Sequence, residues 1–247
     1  ILALAYRDFL IIRRSKWRLI EIFYYPITTI LLWGLFALYS KTFALEVGLF
    51  VLIVNVFWNF AFTAQSTVNV QMMEDSFSGS LKQLLLSGIT EIEYVVGRII
   101  TSTVVSILVL TFILTIAFLF GLDVIANGGA IAMLLALTFV ASIAMSILIT
   151  GFIVFLGRSY GFLTWSALQA FILLSAPFFP VEVFPKAIQY ISYAMPYTHI
   201  FASARGLVSG GELFLFKALI VVLIYSIVAW PVYLLCFRLS RKNGNLV

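Results

Sequence analysis

The sequence contains one histidine, one cysteine and ten acidic residues in 247. A lone histidine and a lone cysteine offer no ligand set for a metal and no disulfide framework. Cys236 lies inside an apolar run and reads as a packed thiol. No Gly-x-x-x-x-Gly-Lys-Ser/Thr phosphate loop occurs, so no nucleotide site of that type is present in these residues. Asp, Glu, Lys and Arg together make up 10% of the chain, against about 25% in a soluble domain, which excludes an ordinary soluble core. The net charge of +5 does not indicate nucleic acid, because the basic residues gather at the ends of apolar runs and at the termini, as membrane orientation requires.

What the chain does have is six uncharged stretches, each 19 to 34 residues long. A hydrocarbon core of about 30 Å is crossed by about 20 helical residues, and only helices or closed barrels satisfy their backbone in lipid. The expected fold is therefore an all-α membrane protein with six spans. They are 22–40, 47–73, 99–122, 131–156 (within 124–157, after a turn at Asn127-Gly128-Gly129), a fifth from after Arg158 to about 176, and 218–237. Eleven Lys and Arg flank one side of this arrangement and four the other, which predicts both termini in the cytoplasm. The chain opens without Met, so numbering is expected to begin a little inside the native protein. No cleavable signal peptide is expected, since the first apolar run follows some twenty basic, mixed residues.

Three segments lie outside the spans. Residues 1–21 place Leu2, Tyr6, Phe9, Leu10, Trp17 and Ile20 on one side of a helical wheel and Arg7, Arg14 and Arg18 on the other. That pattern predicts a basic amphipathic helix in the membrane interface, in contact with lipid headgroups. In the cytoplasmic connection 74–98, Ser80 with Gln83 and Thr90 with Glu93 have capping-box spacing. Leu81, Leu84 and Leu85 form an apolar stripe on a helix too short to fold alone, so it needs a surface to dock on: a partner, or its own bundle. Between spans five and six, 175–211 holds four of the six prolines yet stays apolar. Proline-broken apolar sequence suits re-entrant helices, here 185–194 and 196–209, with Pro185 and Pro196 at their first positions.

The cytoplasmic segment, with its acidic pair Glu74-Asp75, then Gly79-Ser80-Leu81, Leu84-Leu85 and Ser87, resembles the coupling segment of ABC-2 (type V) exporter membrane subunits. Gly88 stands where that family has proline, which predicts a softer helix stop. Phe178-Phe179-Pro180, Pro185, Met195-Pro196-Tyr197-Thr198-His199 and Arg205-Gly206 are similar to the family's outer re-entrant region. The resemblance covers nearly the whole chain as one transmembrane domain, 1–247. It implies a permease dimer, of two like or two different subunits, working with a separate ABC ATPase. That partner would bind ATP and magnesium, leaving this chain no cofactor of its own. It also implies coupling residues Glu74, Asp75, Gly79, Ser80, Leu81, Leu84 and Leu85, and an external gate at Phe179, Pro180, Pro185, Pro196, His199 and Arg205. A prokaryotic plasma membrane is the expected location. Val208-Ser209-Gly210-Gly211-Glu212 imitates an ATPase signature, but without a phosphate loop it reads as a glycine turn.

In the second span Asn55, Asn59, Ser66 and Asn69 fall within about 80° of one another on a helix. Such amides face protein or water: either they hydrogen-bond between helices or they line a transport pathway. Ser142, Ser146 and Thr150 have small-residue spacing for close helix packing. The spans carry no ionisable residue to relay a coupling ion, which disfavours a secondary transporter. No nucleophile has a base, which disfavours an intramembrane enzyme. The expected cargo is a lipid-linked glycan or another amphipathic lipid, with a hydrophobic drug as the alternative.

Overall fold

The computed structural model describes residues 1–40, 45–121, 128–157 and 160–242, and no strand occurs among them. Ten α-helices follow in order: α1 Leu2–Arg14, α2 Lys16–Ser40, α3 Leu45–Ser78, α4 Ser80–Leu86, α5 Glu91–Leu119, α6 Gly128–Leu156, α7 Leu163–Leu174, α8 Lys186–Ala194, α9 Thr198–Ser209 and α10 Leu215–Lys242. Five of them, α2, α3, α5, α6 and α10, are long and apolar enough to cross a membrane. The protein is an all-α, multi-spanning membrane protein.

The bundle is built around α3 and α6, whose apolar windows are 67% and 61% buried, against 18% for α2 and 22% for α10. These two helices also carry the buried amides Asn55, Asn59, Gln65, Asn69 and Gln71 and the hydroxyls Thr138, Ser142, Ser146 and Thr150, which a helix enclosed by others can satisfy away from lipid. One apolar core joins Ile30, Phe57, Phe60, Ile113, Leu134, Leu168 and Phe201. A second, toward the ends of α3 and α5 that meet α4, joins Leu4, Met72, Leu81, Tyr94, Tyr233 and Phe237. Helices α6 and α10 approach closely at Gly151, where an added Cβ would lie 3.1 Å from the Tyr233 Cα. Cys236 is buried in the same contact, as a packed thiol.

Several expected boundaries move. The amphipathic helix does not run to residue 21: the backbone turns extended at Ser15 (φ −98°, ψ 103°), so Lys16, Trp17, Arg18 and Ile20 belong to α2. Its apolar side is nevertheless outward, with Leu2, Tyr6, Phe9 and Trp17 exposed. Gly128 and Gly129 open α6 rather than forming a turn; Asn127, Asp123, Lys41 and Arg158 lie outside the described residues.

The largest correction is the fifth span. Helix α7 has 12 residues, about 18 Å of rise, too short for a hydrocarbon core of about 30 Å. It stops because Pro177 pushes the preceding residue out of the helical region, and Ala176 takes a positive φ of 49°. A hairpin of α8 and α9 follows, and the side chains at its tip, Met195, Pro196 and Tyr197, are buried. Tyr197 Oη lies 3.1 Å from Ser142 Oγ, and Ser142 is the middle residue of α6. The hairpin thus enters the bundle to half its depth, as a re-entrant element does. Pro185 sits one position ahead of α8 and Pro196 two ahead of α9, not at the first helical positions.

Candidate functional site

The acidic pair of the cytoplasmic connection is not in a loop. Helix α3 continues through Glu74 and Asp75 to Ser78, and Gly79 then turns the chain with φ 72°, a conformation glycine adopts without a side-chain clash. The seven residues of α4 lie against the bundle. Leu81 is 4% exposed and packs in the second core, with Leu84 and Leu85 against it. The leucine stripe therefore docks on the chain's own helices, and the face left outward carries Lys82, Gln83 and Leu86. The helix stops at this point: the Ser87 hydroxyl donates to Leu84 O at 2.7 Å and Gly88 adopts φ 91°. The Thr90–Glu93 capping box forms and starts α5. The Ser80–Gln83 box does not, because Ser80 Oγ donates instead to Asp75 Oδ1 at 2.8 Å.

That bond belongs to a buried cluster. Arg98 on α5 is 1% exposed, Asp8 on α1 is 2% and Asp75 on α3 is 7%. Arg98 pairs with both carboxylates and donates to Gln71 Oε1 at 3.3 Å. Tyr94 donates to Asp75 Oδ2 at 2.7 Å, and Arg7 reaches both oxygens of Asp75 at 3.1 Å. Two cations and two anions balance, which is what makes burial of the set tolerable. Beside it Arg18 pairs with the more exposed Glu74 at 2.5 Å. Glu74 and Asp75 therefore have separate surroundings: the first is exposed, the second holds four helices together through Arg7, Arg98 and Ser80.

Asp8, Gln71, Tyr94 and Arg98 were not among the site residues expected from sequence. Asp8 carried a signal, since Leu4, Asp8 and Ile12 recur at helical spacing and all three are buried; an acid in an inward stripe needs a cation opposite it. Nothing local marks Gln71 or Tyr94.

The polar residues of the second span divide. Asn59 donates to Asn55 and accepts from Thr29 at 2.8 Å. Asn69 donates to Ser146 O at 2.9 Å and Thr150 Oγ1 at 2.8 Å, so the small-residue row of α6 works as a packing and bonding surface. Gln65 joins Asn69 and the Thr164 carbonyl. Asn55 and Asn59 thus bond to each other, and Asn69 to α6 and Gln65, all in the interior. Ser66 is different. It faces a cavity of about 280 Å³ between α1, α2, α3 and α7, with Thr63, Thr67 and Gln71 as polar neighbours and Tyr25, Phe62 and Trp165 as aromatic ones.

At the other end of the bundle, Arg205 donates to the carbonyls of Ala176 and Pro177, the latter at 3.1 Å. It thereby satisfies backbone that α7 leaves unpaired. Phe179 meets Phe184 edge to face at 5.1 Å, His199 stacks on Tyr193, and Pro180 and Pro185 are exposed. The Glu182 backbone N–H and the Tyr193 hydroxyl, 2.9 Å away, hold the Glu182 carboxyl below its ordinary range. The signature-like glycines close α9: Gly210 takes φ 67° as its cap and Gly211 N–H donates to Gly206 O at 2.9 Å.

A family model described as "ABC-2 type transporter" matches residues 1–208, from α1 to the last turn of α9. No curated protein matches the chain.

Proposed function

Because this chain belongs to the ABC-2 type transporter family and is a multi-spanning permease, we propose that it is the membrane half of an ATP-driven exporter. Hydrolysis occurs on a separate ABC ATPase, which binds ATP and magnesium, and a second copy of the permease completes the pathway. The membrane is a prokaryotic plasma membrane with both termini in the cytoplasm, an arrangement in which the five long helices are joined by a further crossing made by the short α7 together with the chain on either side of it.

The observation that carries this reading is the connection between α3 and α5. Two membrane-length helices end in a two-turn helix held rigidly by Leu81 and by the Ser80–Asp75 bond. Its outward face of Lys82, Gln83 and Leu86 is small, mixed in polarity and presented beyond the apolar core. A rigid lever of this kind transmits a push to the helices behind it, whereas a flexible loop would absorb it.

The cavity beside Ser66 supports the cargo class. Its volume of about 280 Å³ is at the small end of ligand pockets. Hydroxyl and amide groups from Thr63, Ser66, Thr67 and Gln71 form one wall, and Tyr25, Phe62 and Trp165 are close by. A molecule with a hydrogen-bonding head and an apolar body satisfies both surfaces. A lipid-linked glycan or another amphipathic lipid has that form, and outward movement fits cargo collected from the inner leaflet. The test is purification in mild detergent: an ABC ATPase should accompany the chain and hydrolyse ATP. Uphill transport by the chain alone in vesicles would overturn the proposal.

A further inference from the structure

The cavity and the buried ionic cluster share a wall. The void of about 30 Å³ inside the cluster is lined by Arg7, Asp8, Asp75 and Arg98 among others. Three residues line both spaces: Ile12, Arg18 and Gln71. Of these, Gln71 makes the connection in polar atoms. Its Oε1 accepts from Arg98 at 3.3 Å, Arg98 pairs with Asp75, and Asp75 accepts from Ser80 at the start of α4. The Gln71 amide nitrogen has no hydrogen-bond partner among the described residues. Arg18 makes a parallel link, from the cavity wall to Glu74 on the last turns of α3.

We propose that Gln71 is the residue through which occupancy of the cavity is signalled to the ATPase-facing helix, with Arg18 as the secondary route; this rests on the transporter reading above. The physical basis is the setting of Arg98. A buried ion pair contributes little net stability, because desolvation offsets attraction, and its best-attested use is to specify one arrangement over another. Arg98 is shared between Asp8 on α1 and Asp75 on α3, so a small change in its position trades one pair against the other. Gln71 supplies a neutral acceptor to that guanidinium. A ligand that draws the Gln71 amide into the cavity withdraws the acceptor, and Arg98 then shifts relative to the carboxylate that holds Ser80. Gln71 is thus a positioning residue for coupling.

A tethered occupant tests this without knowledge of the cargo. In a Cys236→Ala background, Ser66→Cys is labelled with 2-hydroxyethyl methanethiosulfonate, whose hydroxyl oxygen is an acceptor for the Gln71 amide across the shared cavity, in the complex of the permease with its co-purifying ATPase, in lipid nanodiscs. Each variant's ATP hydrolysis is compared with its own unlabelled rate. With Gln71 present, labelling is expected to change the rate by about fivefold, the lower end of typical coupling between sites. With the near-isosteric Gln71→Met the ratio should fall close to one. With Gln71→Glu, which keeps an oxygen for Arg98 but offers a ligand no N–H, the ratio should fall as well. Arg18→Gln gives a second reading of the shared wall, expected to reduce the response partially, should the methionine variant fail to assemble. An undiminished response in Gln71→Met, an undiminished response in Arg18→Gln where the methionine variant fails to assemble, or no response with Gln71 intact would overturn the inference. Absence of any co-purifying ATPase would count against the transporter reading instead.

Discussion

Ser80 donates a 2.8 Å hydrogen bond to Asp75, five residues earlier and across the Gly79 turn. A helix of seven residues has little stability of its own, and this bond, with buried Leu81, fixes its angle to the bundle. Ser80→Ala should loosen α4 by about 1 kcal/mol, the ordinary worth of a hydrogen bond. Amide exchange across 81–88 should then accelerate by about fivefold, while exchange in mid-α6 stays unchanged. Equal exchange in both proteins would show that packing alone sets the helix.

Asp75→Asn removes one of the two buried anions that compensate Arg98 and Arg7. Breaking a buried pair by neutralising one partner costs about 3–5 kcal/mol. The variant should lose a large part of its thermal stability in detergent. Asp8→Asn should do the same through α1, with faster proteolysis of residues 1–14. A melting temperature unaffected by Asp75→Asn would mean that water reaches the cluster freely.

Leu81 and Leu86 should behave oppositely to aspartate substitution. Leu81 is 4% exposed and Leu86 77%, so Leu81→Asp places a charge in the second core and should unfold that end of the bundle. Leu86→Asp should leave the melting temperature within about 2 °C, as surface changes usually do. It should weaken association with the ATPase by about tenfold, equivalent to about 1.4 kcal/mol. Of the two surfaces expected for the leucine stripe, Leu81 takes the chain's own bundle, while Lys82, Gln83 and Leu86 face outward. Co-purification assays on the two variants decide the matter.

Arg205→Met should release the Ala176 and Pro177 carbonyls. Backbone that lacks a partner away from water costs about 1–3 kcal/mol per group. Cysteines placed at Val183 or Pro180 should label faster from the side of the bundle that holds α8, by about tenfold or more. Unaltered labelling would indicate that the re-entrant hairpin alone holds the turn.

The amino-acid pattern already dictated the class of this protein, because uncharged runs of membrane length admit few structures in a bilayer. It also located the re-entrant helices, since four prolines in an apolar segment cannot make a continuous span. The Thr90–Glu93 box was legible for the same local reason, both partners lying within one turn. The stop of α7 at Pro177 is local, but what was not legible is that Arg205, 29 and 28 residues away, donates to the Ala176 and Pro177 carbonyls that the stop leaves without partners.

The site divides along the same line. The Thr90–Glu93 cap and the glycine turn at Gly210 are written within a few positions of one another, so sequence alone determined them, whereas the Ser80–Gln83 spacing lost to Asp75. Which face of α4 turned inward, and which cation answered Asp75, depended on residues 68 and 23 positions distant, Arg7 and Arg98. Only the packed bundle brings those charges together, since a buried carboxylate takes whichever cation the neighbouring helices place beside it, and no local spacing encodes that choice.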